Sequence, residues 1–175
     1  MCCPRAVFSG NITALRLAPD RPLGDWFEVK LYLALLATFL GLASLSAAES
    51  EANWTTDFAE AQAQAKAEDK LLLLDFTGSD WCGWCKLMEK EIFSQPVFAE
   101  YAKKNLVLVR LDFPRAKPLS AEVRAQNQTL AQKFGIRGFP SIVMLNGEGK
   151  PLALLGYVRG GPEAFIKELQ QVPKS

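Results

Sequence analysis

The amino-acid sequence predicts an α/β domain in which a mixed central sheet is covered by helices on both faces. Apolar runs of strand length alternate with helical segments along most of the chain, and two strands then follow each other across a tight turn. Strand–helix alternation is typical of parallel pairing, whereas a tight turn joins antiparallel strands. The chain has 175 residues, 49% hydrophobic and 22% charged, which is an ordinary globular composition and allows one domain plus an additional segment.

The first 48 residues are predicted to form an extension with an export signal, followed by one domain over residues 49–175. Residues 31–48 carry no charge, and their first part has the apolar length of a signal-peptide core. Small side chains lead up to Ala48, after which we expect cleavage. An uncleaved membrane anchor is the alternative, since a spanning helix needs ~20 apolar residues. Translation from Val29 would supply the short basic start that a signal requires.

Charge and composition exclude several classes of function. The whole chain has a formal charge of +1, and residues 1–48 hold four Lys/Arg and three Asp/Glu, so the domain itself is neutral. A neutral domain without a basic run has no broad attraction for nucleic acid or anionic lipid. The sequence contains no histidine, which excludes Ser-His-Asp and Cys-His catalysis and histidine-based metal sites.

The domain is predicted to begin with a helix and a buried strand. The helix covers residues 53–69, with Asp57 as its N-cap and Glu60 as the capping-box partner three residues on. The strand covers residues 70–76 (KLLLLDF), a continuous apolar run that is typical of a strand buried on both faces. Gly78 then ends the strand.

A helix, an interruption and a second strand follow. The helix begins near Cys82 and runs through Glu91, and Pro96 separates it from a further helical turn or two over residues 97–104. Residues 106–112 (LVLVRLD) form the second buried strand because they again make a continuous apolar run. A loop containing two prolines comes next, over residues 113–118.

The last part of the domain is predicted to contain a helix, a hairpin and a closing helix. The helix spans residues 120–134, and Gly135 suits its C-terminal cap. The strands at 141–145 and 152–157 are joined by Asn-Gly-Glu-Gly, a strong hairpin signal. The closing helix covers residues 162–171 and is amphipathic, with Phe165, Ile166 and Leu169 on one side.

The motif WCGWC, at residues 81–85, carries the clearest chemical signal. It follows a buried strand and begins a helix, so Cys82 and Cys85 lie within one helical turn and can form a disulfide. Unpaired N–H groups and the partial positive charge of a helix N-terminus stabilise a thiolate on Cys82, and Lys86 adds a nearby positive charge. Because only a thiolate attacks a disulfide, the motif predicts Cys82 as the nucleophile and Cys85 as the resolving thiol of a thiol–disulfide oxidoreductase.

Other interpretations of these residues remain open. The two cysteines could form a structural disulfide that never exchanges, or half of a zinc site, although no other cluster of metal ligands is present. Of the flanking Trp81 and Trp84, one is expected to pack and the other to form an apolar lip where a partner docks. The alternative is that both tryptophans are ordinary core residues.

Asp75 is the candidate proton acceptor for Cys85. It lies at the end of an otherwise apolar strand, where desolvation raises the pKa of a carboxyl group and suits it to relay protons. The alternative is a structural charge paired with Arg110.

Gly138-Phe139-Pro140 precedes a predicted strand, and a cis peptide bond has a low cost only before proline. With this third piece, the order and spacing of LLLLDF, WCGWCK and KFGIRGFPSIVML resemble the thioredoxin superfamily across residues 54–171. The chain is especially similar to exported thioredoxin-like proteins and to the C-terminal periplasmic domain of the bacterial transmembrane thiol reductase.

The resemblance implies the thioredoxin fold and roles for several residues. Pro140 would be the cis-proline beside the cysteines, with Phe139 in the neighbourhood that contacts the substrate backbone. Asp75 would be the buried aspartate, and Arg110 the basic residue that pairs with it. The chain departs from thioredoxin in one extra residue between Asp75 and Cys82, in a Gly-Trp dipeptide between the cysteines, and in a longer loop after the second strand.

The dipeptide between the cysteines predicts the direction of electron flow. Strong oxidants of this fold commonly carry a histidine there, which stabilises the reduced thiolate, and Gly83-Trp84 cannot do so. We therefore expect a potential nearer roughly −270 mV than about −120 mV, which favours a reductase. A disulfide oxidase or isomerase, or a non-catalytic binding or chaperone module, are the alternatives.

The partners follow from this chemistry. We expect a monomer that needs no organic or metal cofactor beyond its own redox-active disulfide and binds no nucleic acid. It would reduce protein disulfides with electrons from another dithiol protein, such as a membrane thiol relay. It would act in the periplasm or another extracytoplasmic compartment, tethered there if the N-terminal segment stays uncleaved.

Overall fold

The computed structural model describes residues 51–173. The predicted N-terminal extension, with its signal or anchor, its cleavage after Ala48 and the start at Val29, lies outside the described residues. Within residues 51–173, no helix combines the length and the apolar character needed to cross a membrane.

Five strands form one sheet in the order β1-β3-β2-β4-β5. The strands β1, β2 and β3 pair in parallel, whereas β4 runs antiparallel to β2 and β5 antiparallel to β4. The alternation of strands and helices followed by a hairpin therefore folds as predicted, into a mixed sheet. The strands are β1 (Trp54–Thr55), β2 (Leu71–Thr77), β3 (Leu106–Asp112), β4 (Ser141–Leu145) and β5 (Pro151–Leu155).

The helices occupy the predicted regions, with one change of winding. Five α-helices and one π-helical turn are present in the described part of the chain. They are α1 (Phe58–Glu68), α2 (Gly83–Met88), the π turn (Glu89–Phe93), α3 (Pro96–Asn105), α4 (Ala121–Lys133) and α5 (Gly161–Gln170).

The sheet separates two apolar clusters, which confirms helices on both faces. Because side chains alternate along a strand, Leu71 and Leu73 of β2 lie in one cluster, while Leu72, Leu74 and Phe76 lie in the other. The first cluster also contains residues from α2, the π turn, α3 and α5, and the second contains residues from α1 and α4. The same alternation places Asp75 on the face that the cysteine-bearing helix covers.

The start of the domain differs from the helix predicted over residues 53–69. Trp54 pairs with Leu108 as part of β1, and its ring packs edge-on against Phe93 at 5.0 Å between centroids. These long-range contacts hold the backbone extended, so the helix begins only at Phe58. Asp57 caps it as predicted, its Oδ1 accepting from the N–H of Glu60 at 3.0 Å.

The reciprocal half of the predicted capping box is absent from this end of α1. The backbone N–H of Asp57 donates to Thr55 Oγ1 at 3.2 Å instead of to the Glu60 side chain. A hydroxyl two residues back thus replaces the glutamate as acceptor, because the extended backbone of β1 brings it within reach.

The helix that begins after Cys82 changes winding before it ends. Six residues of α-helix are followed by the five-residue π turn, and the consecutive residues Ile92 and Phe93 are both buried there. Pro96 then occupies the first turn of α3, where its missing N–H costs nothing. The interruption predicted at Pro96 is therefore confirmed, and the π turn was not predicted.

The hairpin and the last two helices follow the prediction with shifted ends. Asn146 Oδ1 accepts from the N–H groups of Glu148 and Lys150, which closes the turn between β4 and β5. The strand β5 ends at Leu155 rather than at residue 157. Gly135 follows the end of α4 with a φ of 64°, a conformation that favours glycine.

Candidate active site

Cys82 and Cys85 form a disulfide at the start of α2. Cys82 is the N-cap residue, with extended backbone angles, and its Sγ accepts a hydrogen bond from the N–H of Cys85 at 3.2 Å. Its own N–H donates to Gly78 O at 2.8 Å, which ties the motif to the turn after β2. Cys82 is 6% exposed and Cys85 is 4% exposed. The backbone N–H directed at Cys82 Sγ would stabilise negative charge on that sulfur in the reduced state.

Trp81 is held firmly although its side chain is 37% exposed. Its Nε1–H donates to Phe113 O at 2.8 Å, and the ring meets Phe139 edge-on at 5.8 Å between centroids. The ring also lies against the backbone of Gly78, where an added Cβ would come within 2.6 Å of it. Trp81 therefore joins the cysteine motif to the segment before β4 and to the loop after β3.

Trp84 lies apart from that cluster and is 55% exposed. Its ring contacts Tyr157 at 5.5 Å between centroids, and the Tyr157 hydroxyl donates to a carboxylate oxygen of Glu91. Trp84 is thus the more exposed of the two tryptophans, with an apolar surface directly beside Cys85 in the chain.

The turn between β2 and the cysteines is anchored by two carboxylates. Asp112 accepts hydrogen bonds from the backbone N–H and the hydroxyl of Ser79. Asp80 accepts from the backbone N–H groups of Arg115 and Ala116, and these bonds lower the pKa of its carboxyl. The extra residue between Asp75 and Cys82 thus lies in a turn that the loop after β3 holds in place.

Lys86 was predicted to place a positive charge near Cys82. Its Nζ donates to the backbone carbonyl of Asp80 at 2.8 Å. The ammonium group therefore binds the turn that precedes the motif, two residues before Cys82 in the chain.

Asp75 is buried in β2, and burial raises the pKa of its carboxyl to about 7. The positive charge of Arg110 opposes this rise, while Glu89 and Asp112 add to it. Asp75 pairs with Arg110 across β2 and β3, and Oδ2 lies 3.8 Å from Arg110 Nε. Within residues 51–173, neither Asp75 Oδ1 nor Arg110 Nε has a hydrogen-bond partner. The carboxyl group is therefore close to half-ionised near neutral pH.

Arg110 makes its hydrogen bond with Glu89 rather than with Asp75. Its Nη2 donates to Glu89 Oε2, and its guanidinium lies 4.4 Å over the ring of Trp54. Glu89, Arg110 and Cys85 line one cleft of about 570 Å³. Charged groups from the π turn and β3 thus reach the side of the motif where Cys85 lies.

Phe139 and Pro140 lie immediately before β4, and the peptide bond between them is cis. Both residues are half-buried. Through Phe139, this segment contacts Trp81 and also Phe113, at 5.1 Å between ring centroids.

Several residues at the site were not found from the sequence. Glu89 comes four residues after Cys85, so helical spacing alone could have placed it on the same face. Arg115, Phe113 and Tyr157 gave no such signal, because they reach the motif only through the tertiary fold. No group of three or more acidic or cysteine side chains in residues 51–173 is arranged to hold a metal ion.

Comparison with known proteins places the chain among thiol–disulfide proteins. The pattern of the thioredoxin-like domain family matches residues 58–173. Disulfide bond reductase DsbH of Chlamydia pneumoniae is 37% identical over 117 residues, which cover 67% of this chain and 70% of DsbH. Thiol:disulfide interchange protein DsbD of Photorhabdus laumondii subsp. laumondii is 30% identical over 162 residues, which cover 91% of this chain but only 25% of DsbD.

Solved structures agree with this placement. The structure of a DsbH oxidoreductase superposes with a TM-score of 0.66 at 36% identity, covering 69% of this chain and 83% of that one. A thioredoxin from Thermus thermophilus superposes with a TM-score of 0.53 at 22% identity, covering 69% of this chain and 86% of that one. The second likeness concerns the fold alone.

Proposed function

This chain belongs to the thioredoxin-like family of thiol–disulfide oxidoreductases, and on that premise we propose that it reduces protein disulfides through Cys82 and Cys85. The observation that carries the proposal is the Cys82–Cys85 disulfide at a helix start, with the N–H of Cys85 donating to Cys82 Sγ. The relative named disulfide bond reductase supports the same direction.

The reaction moves two electrons from the reduced chain to its substrate. The Cys82 thiolate attacks one sulfur of the substrate disulfide, and the other substrate sulfur leaves as a thiolate that takes up a proton. Cys85 then gives its proton to the carboxylate of Asp75 and attacks Cys82 Sγ. The Cys82–Cys85 disulfide forms and the bond between Cys82 and the substrate breaks. The second substrate sulfur leaves as a thiolate that takes up a proton from water, and Asp75 returns its proton to water.

The environment of Asp75 supports its role as proton acceptor. A carboxyl group whose pKa is about 7 is partly ionised near neutral pH, so it can accept a proton and release it again. The neighbouring Arg110 keeps that pKa from rising further. Asp75 therefore acts as the base for Cys85, and Arg110 acts as a positioning residue for Asp75.

Two apolar groups beside the cysteines are proposed to contact the substrate. Trp84 offers an exposed ring next to Cys85, and the half-buried segment Phe139-Pro140 lies beside Trp81. The substrate chain passes between them, so that its disulfide reaches Cys82. Trp81 packs against Phe139 and holds this surface in place, because its Nε1–H is bound to the carbonyl of Phe113 in the loop after β3.

The direction and the place of action complete the proposal. Gly83-Trp84 holds no histidine or other cationic side chain that would stabilise the reduced thiolate, so we expect a potential nearer roughly −270 mV than about −120 mV. Residues 1–48 export the chain, or anchor it, and electrons come from another dithiol protein. The reaction needs no cofactor other than the two cysteines.

The deciding experiment measures reduction of insulin disulfides by the purified protein with dithiothreitol as the electron source. The wild type should accelerate precipitation of the reduced insulin chains, and Cys82→Ser should abolish the acceleration. Cys85→Ala should accumulate a mixed disulfide that is detectable by mass spectrometry. Net oxidation of a reduced test protein by the Cys82–Cys85 disulfide, with no reductase activity, would favour an oxidase. If the wild type catalyses no disulfide exchange and Cys82→Ser binds its partner as the wild type does, a binding module would be favoured.

A further inference from the structure

A groove of about 460 Å³ lies beside the cysteine motif and is lined by three cationic side chains. It runs between the loop after β3 and the first half of α4. The cations are Arg115, Lys117 and Arg124, and all three residues are exposed. Although the domain as a whole is neutral, positive charge is therefore concentrated on one surface, which we call the basic groove.

Arg115 connects the basic groove to the active site. Its guanidinium carbon lies over the ring of Trp81, 3.9 Å from the centroid, and Trp81 directly precedes Cys82. Stacking on an aromatic ring occupies the face of a guanidinium and leaves the N–H groups at its edge free to bind a carboxylate. No side chain in residues 51–173 forms a hydrogen bond or an ion pair with this guanidinium.

Two carboxylates beside the basic groove, Asp80 and Asp112, are engaged by the protein itself. Asp80 accepts from the backbone N–H groups of Arg115 and Ala116, and Asp112 accepts from Ser79. Both bind donors of the turn and the loop that hold the motif. Their charges offset part of the positive field, and, besides the hydrogen bond from Ala116, the charge of Lys117 lowers the pKa of Asp80. Among residues 51–173, however, neither carboxylate forms an ion pair with Arg115, Lys117 or Arg124.

We propose that the basic groove binds an acidic segment of the protein whose disulfide is reduced. This inference rests on the proposed function, since it concerns the substrate of the same site. A substrate disulfide at Cys82 would place the flanking residues over Trp81, within reach of Arg115. Carboxylates on these flanking residues would then contact Arg115, and those further along the substrate chain would contact Lys117 and Arg124.

The exposure of the three cations determines how acidic residues of the substrate should affect its reduction. Exposed charges mainly accelerate encounter and set its dependence on salt, and they contribute little to the chemical step. Acidic flanking residues should therefore increase kcat/KM, mainly through KM. The advantage should shrink when salt screens the charges.

The test compares two peptides that share one disulfide-bonded sequence and differ in three flanking residues, glutamate in one and glutamine in the other. Each peptide is incubated with the pre-reduced wild-type chain at low and at high salt. Both peptides are made in two forms, with the three variable residues either before or after the disulfide. We expect kcat/KM to be about tenfold higher for the glutamate peptide at low salt, and the ratio to approach one at high salt.

A triple variant and its matched control locate the effect. R115Q/K117Q/R124Q should bring the ratio for the two peptides close to one. K66Q/K103Q/K104Q removes the same total charge from the far end of the sheet, where α1 and α3 end, and should keep the wild-type ratio. A comparable loss of the ratio in both variants would overturn the proposal, because net charge alone would then explain it.

The measurement on the wild type distinguishes failure of the basic-groove proposal from failure of the proposed reductase function. Equal kcat/KM for the glutamate and glutamine peptides at low salt would overturn the role of the basic groove and leave the reductase function intact. Failure to reduce either peptide, when dithiothreitol reduces both, would overturn the proposed function and this inference with it.

Discussion

Asp75 and Arg110 are paired across adjacent parallel strands, yet the 3.8 Å between Oδ2 and Nε is too long for a hydrogen bond. The arginine lowers the pKa of the carboxyl only through its charge, while burial raises it to about 7. The buried carboxyl is therefore stabilised weakly as an anion. Such a balance suits the proposed role of Asp75, which is to accept and release one proton in each cycle.

The oxidised wild type should become less stable as pH rises, and Asp75→Asn should not show this pH-dependent loss. The native carboxyl has a pKa of about 7 against 3.8 for the unperturbed group, so the folded state holds its proton more tightly. Its stabilising contribution is complete below the unfolded pKa and is lost as pH rises through about 7. From about pH 5 to about pH 9 the free energy of unfolding of Asp75→Asn should gain about 2 to 3 kcal/mol relative to wild type.

Denaturant unfolding of the oxidised proteins at both pH values measures this difference. Asp69→Asn, which removes an exposed carboxyl and keeps a residue that tolerates a φ of 52°, serves as the control and should follow wild type. Parallel pH profiles for wild type and Asp75→Asn would contradict the raised pKa.

Removing the charge of Arg110 should move the pH dependence of disulfide reduction to higher pH. Arg110 lowers the pKa of Asp75, whereas burial, Glu89 and Asp112 raise it, so Arg110→Gln removes the one charge that opposes the rise. The rising limb of kcat/KM against pH should shift upward by about one pH unit or more. Arg110→Lys, which keeps a positive charge, should shift it less. A folded Arg110→Gln protein with an unmoved limb would show that Asp75 is not the base.

Gly78→Ala should destabilise the protein, because the new Cβ would lie 2.6 Å from the Trp81 ring. The ring cannot move freely, since its Nε1–H is bound to Phe113 O. We expect a loss of about 1 to 3 kcal/mol in the free energy of unfolding. The matched variant Gly83→Ala meets no atom within 4 Å and lies in α2, so it should be neutral or slightly stabilising. Equal effects of the two variants in thermal unfolding would argue against the placement of Trp81.

Phe93→Ala should be among the more destabilising single substitutions in the domain. Phe93 lies at the centre of an aromatic group, with its ring 5.0 to 5.9 Å from those of Trp54, Phe98 and Phe165. Truncation of a buried phenylalanine typically costs about 3 to 5 kcal/mol. Leu154→Ala, at a side chain that is 62% exposed, should change stability by no more than about 0.5 kcal/mol. Similar unfolding midpoints for the two variants would contradict the packing described here.

Much of the architecture was predictable because it depends on local pattern. The continuous apolar runs at 70–76 and 106–112 predicted strands buried on both faces, and β2 and β3 form the centre of the sheet. The proline at residue 96 marked a real break between helices. These features were predictable from the sequence because each depends on a few consecutive residues. An apolar run marks a buried strand, and the proline ring and its missing N–H interrupt a helix.

Two of the missed features involve residues far apart in the chain. The strand β1 has only two residues and exists because Trp54 pairs with Leu108. The stacking of Arg115 on Trp81 joins residues separated by a whole helix, a π turn and a further helix and strand. Local propensity carries no information about such contacts, since their energy comes from partners that only the folded chain supplies.

The amino-acid sequence alone determined the α/β class, the two cysteines one helical turn apart, and a carboxylate on an apolar strand, because each depends on residue type and short-range spacing. Only the tertiary structure decided that Arg110 would bind Glu89 rather than Asp75, that Trp81 would be fixed and Trp84 exposed, and that three cations would line one groove. Those outcomes depend on which side chains the sheet order and the loop after β3 bring within a few ångströms, where charge, desolvation and packing act.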